Sequence, residues 1–365
     1  MDRPNILFFF TDQQRFDTCG CYGQRLPVTP NLDRLAKRGT RFANAFTCQP
    51  VCGPARACLQ TGRYATDLGC FKNNIPLPQN IPTLATRLTC AGYQTAYVGK
   101  WHLASGEGFD CATGPIPHHL RGGYQDYWVA SDVLEFTSHG YDGYFTDDAM
   151  RRVDFTGYRP DCQTDYVLDF LDHHRDGRPF LMFTSYIEPH HQNDHCRYEG
   201  PVGAREQFAD FDPPGDLVGV GGDWREVYPD YLGQCHALDR NLGRVMDKLD
   251  QLGLTENTLI VYTSDHGSHF RTRNSEYKRA CHDACTHIPL VIAGPGFDPG
   301  RVADQLVSLM DLPITLTAAA GADCVGMVGN PLQLIGQGLG AQLPSHVFIQ
   351  ISESQVGRGG GPAPP

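Results

Sequence analysis

Apolar runs rich in phenylalanine, valine and isoleucine alternate along this chain with segments of helical period, the signature of a sheet covered by helices on both faces. The pattern predicts strands from Asn5 to Thr11, Thr95 to Val98, Phe180 to Tyr186, Thr258 to Ser264 and Pro289 to Ala293. It predicts helices from Pro30 to Arg38, Gly53 to Thr61, Ile81 to Cys90, Tyr231 to Leu252 and Leu312 to Ala320. The first of these opens on a proline and is followed by Gly39, each where its backbone preference fits. Two stretches of poor periodicity, 106 to 148 and 213 to 224, read as long loops over the active face. Val347 to Ser352 reads as one more strand, after which the chain passes into a tail dominated by glycine and proline.

Composition narrows the class. A chain of 365 residues can bury one large core or two smaller ones, and 40 glycines with 26 prolines mean many turns. No uninterrupted apolar run approaches the ~18 to 20 residues that cross a bilayer, so no membrane partner is expected. A formal charge of −11 argues against nucleic acid as principal partner, though a metal ion and a few cationic side chains in one cleft can still hold an anion. Met1-Asp2-Arg3-Pro4 leads straight into the first strand without a secretory signal, so the chain as written reads as cytoplasmic. Its 14 cysteines lack the spacing of a disulfide scaffold or a paired zinc site and read mostly as reduced, buried side chains. That applies to Cys281 and Cys285 around His282 and Asp283.

Candidate chemistry collects after strands, where open α/β sheets bind ligands. The first predicted strand ends in Thr11-Asp12-Gln13 and the one from Thr258 ends in Ser264-Asp265-His266-Gly267. Either aspartate alone could cap a turn; two, each beside a second ligand-capable residue, point to a metal site. Cys52, at the predicted amino end of a helix, stands where backbone N–H groups and the helix dipole favour an anion. Left as a thiol, it would be a candidate low-pKa cysteine.

Cys52-Gly53-Pro54-Ala55-Arg56, continuing to Thr61-Gly62-Arg63, resembles the maturation signature of the type I, formylglycine-dependent sulfatases of the alkaline phosphatase clan. Gly99-Lys100-Trp101-His102 resembles the family's second signature, Glu188-Pro189-His190 the segment that delivers an active-site histidine, and Lys278 its sulfate-binding lysine. The resemblance spans roughly residues 5 to 352, in the family's order. It implies an α/β fold with a central mixed, largely parallel sheet and helices on both faces. It also implies a catalytic domain over 1 to 344, the start of a truncated C-terminal antiparallel subdomain over 345 to 356, and a disordered tail over 357 to 365.

By the same resemblance, Asp12, Gln13, Asp265 and His266 are metal ligands, with oxidised Cys52 adding an oxygen. The other catalytic residues are Arg56, Lys100, His102, His190 (chosen over His191) and Lys278. The ion is Ca2+, with Mn2+ or Mg2+ as alternatives, because Gln13 and His266 stand where many relatives have aspartate and asparagine. The implied reaction is hydrolysis of a sulfate monoester of a small molecule or carbohydrate, after maturation by a formylglycine-generating enzyme. Tyr141, Tyr144, Trp128, His195, His269, Arg271 and Arg273 are read as loop residues suited to a sugar. The rival readings are a phosphonate monoester hydrolase or phosphodiesterase of the same clan, and a truncated, non-catalytic anion-binding protein.

Overall fold

A computed structural model describes residues 3–106, 111–339 and 345–351. Ten strands form one sheet: β1 (Asn5–Thr11), β2 (Gly39–Phe46), β3 (Gln94–Lys100), β4 (Tyr127–Ser131), β5 (Asp142–Asp147), β6 (Arg152–Thr156), β7 (Phe180–Ser185), β8 (Thr258–Ser264), β9 (Leu290–Ala293) and β10 (Arg301–Ser308). Their spatial order is β10-β2-β9-β8-β1-β7-β3-β4-β5-β6. The run β8-β1-β7-β3-β4 is parallel throughout, while β9 and β5 run against their neighbours. The expected mixed, mainly parallel sheet is therefore present.

β1 shows why the sheet sits in the middle. Ile6, Phe8 and Phe10 join an apolar cluster with Ala55, Leu59, Leu84, Leu88, Leu312 and Leu316 from the helices Cys52–Thr61, Leu84–Cys90 and Asp311–Ala319. Leu7 and Phe9 point the other way, into a cluster with Leu32, Leu35, Val167, Leu242 and Leu249 from Pro30–Arg38, Arg159–Asp169 and Trp224–Gln251. Alternate side chains of one strand thus serve two helical layers. Each fully buried phenylalanine contributes about 1.5–3 kcal/mol relative to exposure.

Several boundaries differ from the sequence reading, for local reasons. The helix expected from Ile81 begins at Leu84, because Thr83 and Thr86 form a reciprocal cap: Thr86 N donates to Thr83 Oγ1 (3.1 Å) and Thr83 N to Thr86 Oγ1 (2.8 Å). The helix expected from Tyr231 begins at Trp224 and carries Pro229 inside it. A third apolar cluster, including Trp224, Val227, Tyr228, Tyr231 and Phe270, packs that first part and offsets the lost hydrogen bond.

The stretch 106 to 148 is not one loop, since it contains β4 and β5. Val347 to Ser352 is not a strand over its described residues. Residues 347–351 join no ladder; Gln350 N donates to Cys48 O (2.8 Å) and Phe348 packs edge-on to Tyr64. Ser352 and the 357 to 365 tail lie outside the described residues, as does the 344/345 boundary on its 344 side. Among the described residues no helix is long and apolar enough to cross a membrane.

Candidate active site

The carboxyl ends of β1, β8, β3 and β7 converge on the amino end of helix Cys52–Thr61. Asp12 and Asp265 follow directly on β1 and β8 and are completely buried. Lys100 closes β3, aimed by Gly99 at φ +109°, where an added Cβ would lie 2.1 Å from Ser185 O. Only glycine fits that crossing between β3 and β7.

Cys52 Sγ is the centre of the cluster. It lies 3.3 Å from Asp12 Oδ1, 3.3 Å from His266 Nε2 and 2.9 Å from Lys278 Nζ. Lys278 Nζ is also 3.0 Å from His190 Nε2. His102, at φ +59°, stands beside Cys52 and lines the adjoining cleft. Gln13, at φ +68°, donates its backbone N–H to Asp265 Oδ1 (3.0 Å) and its amide nitrogen to Tyr198 Oη (3.0 Å) and Ser268 Oγ (3.3 Å).

His191 turns away, stacking on Tyr277 and bonding Asn193 Oδ1 (3.1 Å), so His190 is the histidine of the pair that joins the cluster. Arg56 is buried among the site's own groups. It donates to Asp12 Oδ2 (3.0 Å), Lys100 O (3.0 Å) and Ser185 Oγ (2.6 Å), and its guanidinium stands over Phe10. Through the first of these bonds it braces Asp12.

Charge is packed tightly here. Burial and Cys52 push the Asp12 carboxyl up, but Lys100, His190 and Arg56 overcome them and hold it below the usual range. Burial likewise raises the Cys52 thiol, yet Lys100, Lys278 and His266 bring it well below an ordinary cysteine. Asp265 goes the other way: burial, then Asp12, pushes it up to about 7. Burial, aided by Lys100, lowers His102.

Above the cluster opens a cleft of about 420 Å³ whose wall includes Lys100, His102, His190 and Lys278. Of the aromatic and basic residues read as sugar-facing, only Arg271 lines it. Trp128 is buried on β4 beneath Arg121, His269 is buried against Lys278 O, and Tyr144 bonds Thr113 O. The cleft is lined instead by Asn73, Asn74, Glu135, Phe136 and Asn193, which no sequence motif marked.

Two further residues escaped sequence reading. Asn73 Oδ1 accepts the Gly53 N–H (2.9 Å), taking one of the free amides at the helix end. Asp132 accepts from Leu103 N (2.9 Å), Ala104 N (2.9 Å) and Ser105 N (2.8 Å) through its carboxylate, and from His102 N (2.6 Å) through its carbonyl. It therefore holds His102 in its left-handed backbone. Asp132→Ala is expected to cost about 3 kcal/mol, the scale of hydrogen bonds to a buried charge. Asp132→Asn, which keeps one acceptor oxygen, should lose less, as read by denaturant unfolding.

The family model "Sulfatase" matches residues 4–322. The chain belongs to the sulfatase family. A relative from Escherichia coli K12, described as the uncharacterized sulfatase YidJ, is 35% identical over 98% of this chain and 74% of its own length. The N-acetylglucosamine-6-O-sulfatase of Bacteroides thetaiotaomicron is 28% identical over 88% of this chain and 68% of its own length. Among solved structures, the putative sulfatase yidJ of Bacteroides fragilis superposes with TM-score 0.82 at 24% identity, covering 92% of this chain and 78% of that one, which establishes the shared fold. The protein is a sulfatase.

Proposed function

We propose that this sulfatase removes sulfate from a sulfated carbohydrate, using formylglycine at position 52 and a bound divalent cation. The observation that carries the reading is the convergence of Asp12, His266 and Lys278 on one buried sulfur atom, beside a cleft whose wall includes Lys100, His102, His190 and Lys278. That sulfur stands in for the oxygens of the matured residue. Oxidised and hydrated, residue 52 supplies a geminal diol, one hydroxyl of which displaces the alcohol from sulfur while the other later expels sulfate.

The donor set fits a cation. Asp265 Oδ2 is buried without a hydrogen bond, and Asp265 beside Asp12 is costly to ionise unless positive charge joins them. His266 Nδ1 is bonded to Gly267 O (2.9 Å), which fixes that nitrogen as the donor and leaves Nε2 facing Asp12 and Asp265, at 3.8 and 3.7 Å. Gln13 has spent its amide nitrogen, so its oxygen is what remains to offer. Asp12, Gln13, Asp265 and His266 would hold the ion, with Ca2+ favoured by three oxygen donors and Mn2+ or Mg2+ the alternatives. An ion held there would supply charge neutralisation to the sulfate oxygens.

The chain's own groups divide the remaining work. Lys100, on Asp12, and Lys278, on residue 52, neutralise negative charge. Arg56 keeps Asp12 ionised and in place. His190 gives Nδ1 to His191 O (2.6 Å), so its Nε2 faces the cleft next to the Lys278 ammonium. A proton for the departing alcohol passes from this pair. His102, kept neutral by burial, is suited to take the proton of the second hydroxyl.

The carbohydrate reading rests on the N-acetylglucosamine-6-O-sulfatase relative and on a cleft rich in amide and carboxylate groups, with Phe136 58% exposed. The test is mass spectrometry of tryptic peptide 42–56 after alkylation, together with turnover of p-nitrophenyl sulfate. The expected result is one alkylated cysteine, Cys48, an unalkylated aldehyde at position 52, and sulfate release. Two alkylated cysteines in a fully active enzyme would refute the formylglycine reading. A preference for bis(p-nitrophenyl) phosphate would favour the phosphodiesterase alternative, consistent with the Asp265-His266 pair.

A further inference from the structure

A second group of ligating side chains stands apart from the cluster around Cys52. His139, between β4 and β5, meets Asp194 and His195 from the loop that follows β7. A ring nitrogen from each imidazole and one carboxylate oxygen all lie within 4.8 Å of one another. His139 Nε2 is 2.8 Å from Asp194 Oδ2, and the two imidazoles stack with centroids 4.0 Å apart and an 11° interplanar angle.

Each loop ligand is oriented from behind. Asp194 Oδ1 accepts from Gln192 Nε2 (2.8 Å). His195 Nδ1 bonds Glu199 Oε1 (2.6 Å), which leaves Nε2 for another partner. Glu199 is itself buried and fixed by Gly140 N (2.5 Å) and Arg197 Nη2 (3.1 Å). A carboxylate holding one nitrogen of an imidazole while the other is free is the arrangement that orients histidine toward a metal. The three ligands are 35%, 46% and 37% exposed, leaving room for water to complete a coordination shell.

We propose that His139, Asp194 and His195 form a second cation site that takes Zn2+ or a similar transition-metal ion. Two imidazoles and one carboxylate suit such an ion better than Ca2+ or Mg2+, which prefer an all-oxygen shell. The site joins two loops that both wall the cleft: one carries Glu135 and Phe136, the other His190 and Asn193. They are already linked by Asn193 N to Glu135 Oε1 (2.8 Å) and Gln192 Nε2 to Glu135 O (3.1 Å). An ion at this site fastens them a second time and fixes the wall that carries His190.

The experiment uses the full chain carrying Cys52→Ala and Asp265→Asn, in excess Ca2+, so that the catalytic cluster does not compete for the probe. Calorimetry with Zn2+ should give one equivalent, and Co2+ should develop visible d–d absorption. Adding His139→Ala or His195→Ala should abolish both signals, and Glu199→Gln should weaken Zn2+ binding by about 10- to 100-fold, the usual effect of losing such a carboxylate. A measurement that needs no substitution at the site is diethylpyrocarbonate labelling of the unmutated protein. Zn2+ should protect His139 and His195 while leaving exposed His173 reactive. Absence of Zn2+ uptake in the Cys52→Ala/Asp265→Asn chain, uptake undiminished in both histidine variants, or unprotected His139 and His195 would each overturn the proposal.

Discussion

Cys52→Ala is expected to lower sulfate release from an aryl sulfate by at least about 10⁴-fold while leaving the protein folded and able to bind sulfate. The size of the loss follows from removing a covalent nucleophile, an effect of 10⁴ to 10⁶ in other covalent hydrolases. The fold should survive because Cys52 is small and its neighbours remain paired: Lys100 and Arg56 still hold Asp12 at 2.7 and 3.0 Å. Lys278 loses its contact with sulfur but keeps His190 at 3.0 Å. Binding and turnover should therefore separate, with sulfate still detected by calorimetry and product absent. Turnover within tenfold of the unmodified chain would remove residue 52 from the chemistry. Sulfate binding without turnover in the original chain, with formylglycine confirmed, would favour a non-catalytic anion binder.

How much of this could be read from the sequence depended on the range over which each feature is encoded. Asp12, Asp265 and Lys100 were legible because a strand pattern ends beside them, and Cys52 because a local pentapeptide marks it. β1 and β8 match their predicted ranges, each buried at every position. β5 and β6 did not announce themselves. They lie at the edge of the sheet, carry Asp142, Asp147 and Asp154, and are partly exposed, so they lack a continuous apolar run. β2 opens on Gly39, read as a helix stop; that residue is also required because an added Cβ would sit 2.2 Å from Ile292 O of β9.

Residues that position the site were the least visible. Asn73, Asp132, Glu135 and Asn193 act through partners distant in sequence, and nothing in their immediate neighbourhood signals that. Arg56 was legible as a member of the motif but not as a brace, since its partners Asp12, Lys100 and Ser185 become neighbours only when β1, β3 and β7 align. Trp128 misled for the opposite reason. An aromatic residue in an apparent loop suggested a stacking platform, whereas it belongs to β4 and packs with Tyr97 and Trp101.

Arg159 shows what such a hidden residue should be worth. It opens the helix Arg159–Asp169, which the sequence pattern did not predict, and its Nε lies 2.8 Å from Glu188 Oε1 with both side chains at most 2% exposed. The same guanidinium donates to Ser138 O (3.1 Å) and Ser138 Oγ (3.0 Å). Glu188 in turn accepts the Asp12 N–H through its carbonyl (3.1 Å) and precedes His190 by two residues. Arg159→Leu would leave the Glu188 carboxylate buried without its cation, so unfolding in denaturant is expected to report a loss of about 3–5 kcal/mol. Turnover should fall as well, because the segment from 188 to 190 loses its anchor. The double variant Arg159→Leu/Glu188→Gln removes the stranded charge and should recover part of that stability, giving a coupling of more than about 1 kcal/mol. A single variant that loses less than about 1 kcal/mol, or a double variant no more stable than the single one, would mean that the pair does not anchor the His190 loop.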